Sequence, residues 1–256
     1  MSLGTLSEDG FLGGKLRLRQ PSTGFRAGTD AVFLAAAVPA RAGEHVLDLG
    51  CGAGAALLCL AARVPDLDLT GIEIQPAYAA LARENAALNA FKAEVLDGDL
   101  NAPPPALRRL RVDHVLTNPP FFERGQSVAL KDGGRDKAHR SAPSTLETFI
   151  DQGLRRLRPG GTLTIIHRTE CLAGILTALA PRAGGVRILP LVARSGRSAK
   201  RLIVQARMGA RAPLELLSPL VVHSDNAHHA DAADYSAMAR AVLQDGAGLA
   251  PLAAPR

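Results

Sequence analysis

From residue 44 onward, short apolar runs alternate with segments of helical period. EHVLDL (44–49), DLTGIEI (68–74), residues 93–97, VDHVLT (112–117) and GTLTIIH (161–167) read as strands, and amphipathic stretches at 54–64, 76–90 and 144–157 as helices. Pro76 suits a first helical turn. Ser144 and Glu147 form a capping box for the third helix, which stops at Pro159-Gly160-Gly161. Strands alternating with helices of this length predict an α/β fold, a parallel sheet covered on both faces. Upstream, residues 1–10 are small and polar and read as loose, whereas Lys15–Arg19 (KLRLR) alternates basic and apolar, the pattern of a half-exposed strand with one cationic face. After a turn at Pro21–Gly24, GTDAVFLAAAVP predicts a helix capped by Thr29 or Asp30. Downstream, a helix near 170–180 precedes VRILPLV and KRLIVQARM, expected as an antiparallel pair at a sheet edge joined by a Ser/Gly-rich basic turn. The tail from Gly246 (GAGLAPLAAPR) is expected to be disordered. Residues 41–210 thus form the main domain, between an N-terminal hairpin/helix extension (1–40) and a C-terminal extension (211–256). No internal repeat is present.

Composition narrows the class. At 256 residues, 47% hydrophobic and 21% charged, the chain is globular and long enough for one large core. A net charge of +6 points to an acidic partner, with RNA, DNA and an anionic membrane all open on charge alone. Cys51, Cys59 and Cys171 are odd in number, widely spread and without a CxxC pair, so neither a disulfide framework nor a zinc site is indicated and a reducing cytoplasm is expected. The longest apolar stretch, Ala31–Val38, is too short to span a bilayer and ends at Pro39, and no basic-then-apolar leader opens the chain, so neither export nor membrane insertion is expected.

Candidate chemistry begins after the first sheet strand, at Asp48-Leu49-Gly50-Cys51-Gly52-Ala53-Gly54. Glycines there let the backbone turn sharply and approach a ligand at the carboxyl edge of the sheet. Gly50-x-Gly52-x-x-Ala55 also fits the dinucleotide fingerprint. Charge separates the two readings: a carboxylate at Asp48 repels a pyrophosphate but attracts the ammonium and sulfonium of S-adenosylmethionine. Glu73, ending the second strand, is suited to accept ribose hydroxyl protons, and Asp99, after the third, suits an adenine amino group. With these three acids in order the sequence resembles class I S-adenosylmethionine-dependent methyltransferases over about residues 20–210. That resemblance implies a Rossmann-like seven-stranded sheet of order 3-2-1-4-5-7-6 with the last strand antiparallel.

The fourth strand delivers Asn118-Pro119-Pro120-Phe121-Phe122 to the same edge. An exocyclic amine is a poor nucleophile because its lone pair is conjugated. Two acceptors that hold its two N–H protons pull the nitrogen towards tetrahedral geometry and free the lone pair for in-line attack on a methyl group. The Asn118 side-chain oxygen and the Pro119 carbonyl are candidates, and the prolines stiffen the loop and add no competing N–H. The Phe121 ring is a candidate to stack on a planar substrate; Phe122 lines the same pocket or faces the core. N-P-P-[YF] resembles the signature of amino methyltransferases acting on adenine N6, guanine N2 or the glutamine of release factors.

Phe25-Arg26-Ala27-Gly28-Thr29-Asp30, with the NPPFF motif and a short C-terminal extension, resembles the bacterial family that N6-methylates an adenine beside the anticodon of valine tRNA. The resemblance implies that Thr29 and Asp30 close over the methionine end of the cofactor and that residues 1–40 cap its site. The chain departs from that family in its alanine-rich, aromatic-poor C-terminal region and in Phe rather than Tyr after the prolines. Release-factor enzymes carry a separate helical N-terminal domain, and the roughly 40 residues before the first sheet strand weigh against that reading. Arg194, Arg197, Lys200 and Arg201 cluster on RSGRSAKR, candidates for phosphate contacts to tRNA or another structured RNA. Residues 123–143 read as a substrate lid, in which nothing orients His139 as a base. His223, His228 and His229 near Asp225 and Asp231 match no metal spacing and read as a polar surface loop, so no metal is expected. A protein-glutamine or guanine-N2 enzyme, and a cofactor-sensing RNA-binding module without turnover, stay open as alternatives.

Overall fold

The computed structural model describes residues 3–120, 145–224 and 234–252. Its elements run β1 (Leu6–Phe11), β2 (Leu16–Pro21), α1 (Thr29–Ala37), β3 (His45–Leu49), α2 (Ala55–Arg63), β4 (Asp68–Glu73), α3 (Pro76–Leu88), β5 (Ala93–Asp97), α4 (Pro105–Arg109), β6 (Val112–Thr117), α5 (Leu146–Arg156), β7 (Leu157–Arg168), α6 (Leu172–Leu179), β8 (Ala183–Val192), β9 (Arg201–Met208), β10 (Glu215–Leu216), β11 (Leu220–Val221) and α7 (Ala237–Arg240). The seven long sheet strands lie in the order β5-β4-β3-β6-β7-β9-β8, and β9 is antiparallel to both of its neighbours. Counted from β3, this is the expected 3-2-1-4-5-7-6. The two-residue strands β10 and β11 pair parallel with β8, so the sheet has nine strands rather than seven.

Period-two alternation divides the core. In β3, Val46 packs with α1 and α2 on one face, while Leu47 and Leu49 pack with Phe149, Ile150 and Leu154 of α5 on the other. Helix α1 is buried from Ala31 to Ala37, so the carbonyls of its last turn need donors from elsewhere in the fold. Arg63 donates to the carbonyls of Ala35 and Val38, Gln205 Nε2 to that of Ala37 (2.9 Å), and the Leu249 N–H to that of Ala36 (2.7 Å). That last bond, with Leu249 and Leu252 buried in the same core, places residues 246–252, where disorder was expected.

Four further expectations are corrected. Residues 6–11 are not loose: they form β1, antiparallel to β2, with Glu8 paired to Arg17 (3.3 Å) and Arg19 (3.6 Å). The cap of α1 is Gly28, which offers no side chain; Thr29 and Asp30 occupy its first turn. Helix α5 is capped by Thr145, whose hydroxyl accepts the Thr148 N–H (3.3 Å), one residue past the expected position; Ser144 lies outside the described residues. Strand β7 also starts at Leu157, ahead of the Pro-Gly-Gly stop, across a register shift against β6.

Strand β2 behaves as its pattern predicts, with Leu16 and Leu18 fully buried. Its outer edge is closed by α3. Asn89 Oδ1 accepts the Arg17 N–H (3.0 Å) and Asn89 Nδ2 donates to the Arg17 carbonyl (2.7 Å). Asn85 repeats this with Arg19 (2.8 and 3.0 Å) and donates further to the Ala53 carbonyl in the glycine loop (2.9 Å). Side chains four apart on a helix thus match backbone groups two apart on a strand, both spacings being about 6 Å. Asn85 is completely buried. Asn85→Leu is expected to lower unfolding free energy by about 2–4 kcal/mol, because it leaves buried backbone groups unpaired; a urea midpoint equal to that of wild type would refute this accounting.

Candidate active site

The carboxyl ends of four adjacent parallel strands meet in one hydrogen-bonded rim. Leu49 and Thr117 are register partners, so Gly50 and Asn118 leave neighbouring strands side by side. The buried Thr117 hydroxyl donates to the Leu49 carbonyl (2.8 Å) and ties the two exits together. The N–H groups of Gly50 and Cys51 donate to the Ile72 carbonyl of β4 (2.9 and 3.0 Å), and the Gly98 N–H after β5 donates to that of Glu73 (3.0 Å).

Gly50, Gly52 and Gly54 all have positive φ (71°, 55° and 87°), which any other L-residue would adopt only under strain. At Gly50 a Cβ would also press to 2.9 Å of the Phe149 ring, whereas the nearest atom to a Cβ on Gly52 is Phe25 Cε1 at 3.8 Å. Gly52 therefore presents bare backbone on an open side of the loop. Glu73 is buried beside it, with Oε2 accepting the Gly52 N–H (2.9 Å) and Oε1 the Gln75 N–H (2.9 Å). Each carboxylate oxygen keeps acceptor capacity for another donor. Asp99 is half-buried after β5 and accepts the Asn101 N–H through Oδ1 (2.8 Å).

Asp48 sits beneath the loop rather than at its mouth. It shares the α2 face of β3 with Val46 and is 2% exposed. Burial, and after it the Glu73 carboxylate, pushes the Asp48 carboxyl up to about 8, against the opposing N–H of Leu57 in the first turn of α2. At neutral pH it is therefore mostly protonated.

Asn118 is half-buried, Pro119 buried and Pro120 exposed. Asn118 Oδ1 is itself buried and has no hydrogen-bond partner among the described residues. Phe121, Phe122, the expected lid 123–143 and His139 lie outside the described residues, as do Asp225, His228, His229 and Asp231. Among the described residues no cluster of His, Cys, Asp and Glu is arranged to hold a metal, and no helix is long and apolar enough to cross a membrane.

Thr29 and Asp30 line a groove of about 780 Å³ together with Arg194, Arg197, Lys200 and Arg201. Residues read separately as cofactor-side and substrate-side thus line one cavity. Arg201 Nε donates to Asp30 Oδ2 (3.0 Å) and Arg194 to Asp234 Oδ2 (2.7 Å), partners 171 and 40 residues away that no local pattern reveals. Other features escaped sequence reasoning altogether. Phe25 (59% exposed) and Ile74 (54% exposed) present apolar side chains beside Gly52 and Glu73. Phe149 packs beneath Gly50, and the Tyr78 hydroxyl donates to the Phe25 carbonyl (3.2 Å). Single exposed apolar residues are ordinary on a protein surface, so neither this pair nor Thr117 and Phe149 carries a signal in the sequence.

Residues 25–178 match the methyltransferase small domain family. The tRNA1(Val) (adenine(37)-N6)-methyltransferase of Porphyromonas gingivalis is 34% identical over 188 residues, 67% of this chain and 72% of that protein. The enzyme of the same name from Aeromonas hydrophila is 27% identical over 210 residues, 80% and 86% of the two chains. Among solved structures, an O-methyltransferase predicted in Agrobacterium tumefaciens superposes with a TM-score of 0.69 at 28% identity, covering 86% of this chain and 98% of that one.

The state of Asp48 has a measurable consequence. Its folded value lies above the ordinary 3.8, so the stability contributed by the protonated, buried form is complete below about pH 4 and is lost as pH rises through about 8. The ligand-free protein is expected to lose a few kcal/mol across this window that Asp48→Asn retains. Denaturation midpoints of both proteins from about pH 5 to 9 check this; parallel profiles would reject it.

Proposed function

The chain belongs to the methyltransferase small domain family, and we propose that it methylates an exocyclic amine, N6 of an adenine in tRNA, in the cytoplasm. Its methyl donor is S-adenosylmethionine, which when bound supplies an electrophilic methyl group on a sulfonium. The observation that carries the choice of acceptor is the buried Oδ1 of Asn118, which has no partner among the described residues. A buried acceptor without a donor costs about 1–3 kcal/mol and calls for an explanation. An N–H of an incoming amine explains it, with the Pro119 carbonyl taking the second N–H. A hydroxyl nucleophile carries one proton and has no use for paired acceptors, which favours nitrogen over the oxygen named for the Agrobacterium protein.

The residues divide the work by position. Gly50, Gly52 and Gly54 let the donor approach the backbone, and the spare lone pairs of Glu73 take its ribose hydroxyls. Asp99 takes the adenine amino group, and Phe25 and Ile74 flank that ring. Thr29 and Asp30 close the methionine end, with residues 1–40 as a cap. The donor's positive charges favour the ionised form of Asp48, so binding at neutral pH releases a proton there. Asn118, Pro119 and Pro120 orient the amine, which sheds its surplus proton to solvent after attack. Phe121, beyond the described residues, is assigned to stack the base and Phe122 to line its pocket, and the basic groove residues hold the RNA backbone. Similarity to the P. gingivalis tRNA methyltransferase supports tRNA as the substrate class.

Incubation with labelled donor and unmodified tRNA, followed by digestion and mass spectrometry, is expected to yield N6-methyladenosine. Label in a 2′-O-methyl nucleoside, in N2-methylguanosine or only in protein would overturn the assignment. Asn118→Ala is expected to lower the transfer rate at least about a hundredfold while donor affinity stays within about threefold. Equal activity in that variant would remove the mechanism.

A further inference from the structure

The groove beside α1 contains a device that the reading above leaves unused. His223, which sequence placed in a polar surface loop, is held in position: its Nδ1 meets Asp234 Oδ1 at 2.7 Å, and its ring stacks on Tyr235 with centroids 5.3 Å apart and planes 24° from parallel. The other oxygen of Asp234 accepts from Arg194 (2.7 Å). Asp234 is 2% exposed, so one buried carboxylate fixes an imidazole and a guanidinium, both of which line the same cavity. With Nδ1 engaged, Nε2 is the ring nitrogen left for the groove. Arg197 and Lys200 line that cavity too; both are exposed and neither has an acidic partner among the described residues.

The groove adjoins the methyl-transfer site. Ile165 of β7 is the register partner of Thr117, one residue before Asn118, and Arg168, three residues further along β7, is the partner of Arg201. Arg201 thus lies about two residues along and two strands across from Asn118, on the order of 12 Å, about two backbone steps of an extended polynucleotide. A concave channel at that distance, with an excess of cations and preset donors, fits successive phosphodiesters of a strand whose base is presented at Asn118. Ordinarily a surface cation loses side-chain entropy on meeting a phosphate; donors already fixed by Asp234 lose less. We propose that this groove is the track for the RNA backbone and that His223, as an imidazolium whose Nδ1–H is held by Asp234, donates through Nε2–H to one of its phosphates beside Arg197 and Lys200, with Asp234 as the positioning residue. This rests on the RNA reading above.

The test measures binding of a fluorescent unmodified tRNA transcript to the full chain by anisotropy across a series of KCl concentrations. The variants are Arg197→Gln, Lys200→Gln and His223→Asn, whose amide nitrogen can keep the bond to Asp234 while removing Nε2. Arg41→Gln and Lys92→Gln, at the amino ends of β3 and β5, control for net charge. Arg197→Gln and Lys200→Gln are each expected to weaken binding about three- to tenfold and to reduce the salt slope by about one unit. His223→Asn is expected to weaken it by a similar factor with an unchanged melting temperature and unchanged donor affinity, which a merely structural role would not produce. The controls should leave both slope and affinity near wild type. Wild-type binding with all three groove variants unchanged would overturn the groove and leave the RNA reading intact. No binding and no methylation of tRNA by the wild type would remove both.

Discussion

Four parallel strands end in register, and the hydrogen bonds that stitch their last carbonyls to the loops that follow are the constraint on which the site depends. Thr117 is the smallest and most consequential member. Its hydroxyl reaches across to the Leu49 carbonyl from a fully buried position, so the glycine loop and the Asn-Pro-Pro elbow cannot move independently. A one-residue slip of β6 would send Thr117 to the opposite face of the sheet and carry Asn118 with it. Glu73 plays the matching part towards β4, its carboxylate fastening Gly52 and Gln75 while still offering lone pairs outward.

The charges around this rim are graded by depth. Beneath the loop, Asp48 is buried among apolar neighbours and close to a second carboxylate, so desolvation and repulsion together favour its neutral form. At the groove, Asp30 and Asp234 are each matched to a guanidinium at 3.0 Å or less, while Arg197 and Lys200 stand in solvent. Pairs of this kind contribute modestly to stability, but they determine which cations stay extended and which are held against the wall. The net charge of +6 is therefore less informative than its distribution.

The alternation of strands and helices from residue 44 was legible because period two and period 3.6 are properties of the chain itself. The order of the sheet came from family resemblance, and register from neither. The misreadings share a cause. LSEDGF has too weak an alternation to announce a strand, and forms one because KLRLR offers it a ladder and two cations. GAGLAPL reads as a disordered tail, yet Leu249 supplies a donor that the end of α1 needs. Asn118, the glycines and the three acids were legible as candidates because a loop after a strand leaves few chemical alternatives. Their supporting contacts, from Thr117, Phe149 and Asn85, join residues 32 to 99 positions apart, and nothing local marks them. The ion pairs that occupy Arg194 and Arg201 were hidden for the same reason, and made the basic turn look more uniform than it is.

The amide ladder of Asn85 and Asn89 has a further effect. Without it, β2 would present outward-facing N–H and C=O groups in a two-stranded hairpin, a template onto which an extended segment of another molecule could add. Two helical side chains fill that valence from within the same chain and terminate the hairpin sideways. The β2 edge is thereby closed, and the same helix that guards it against recruiting a foreign strand also holds the loop carbonyl at Ala53, coupling colloidal behaviour to the shape of the ligand cradle.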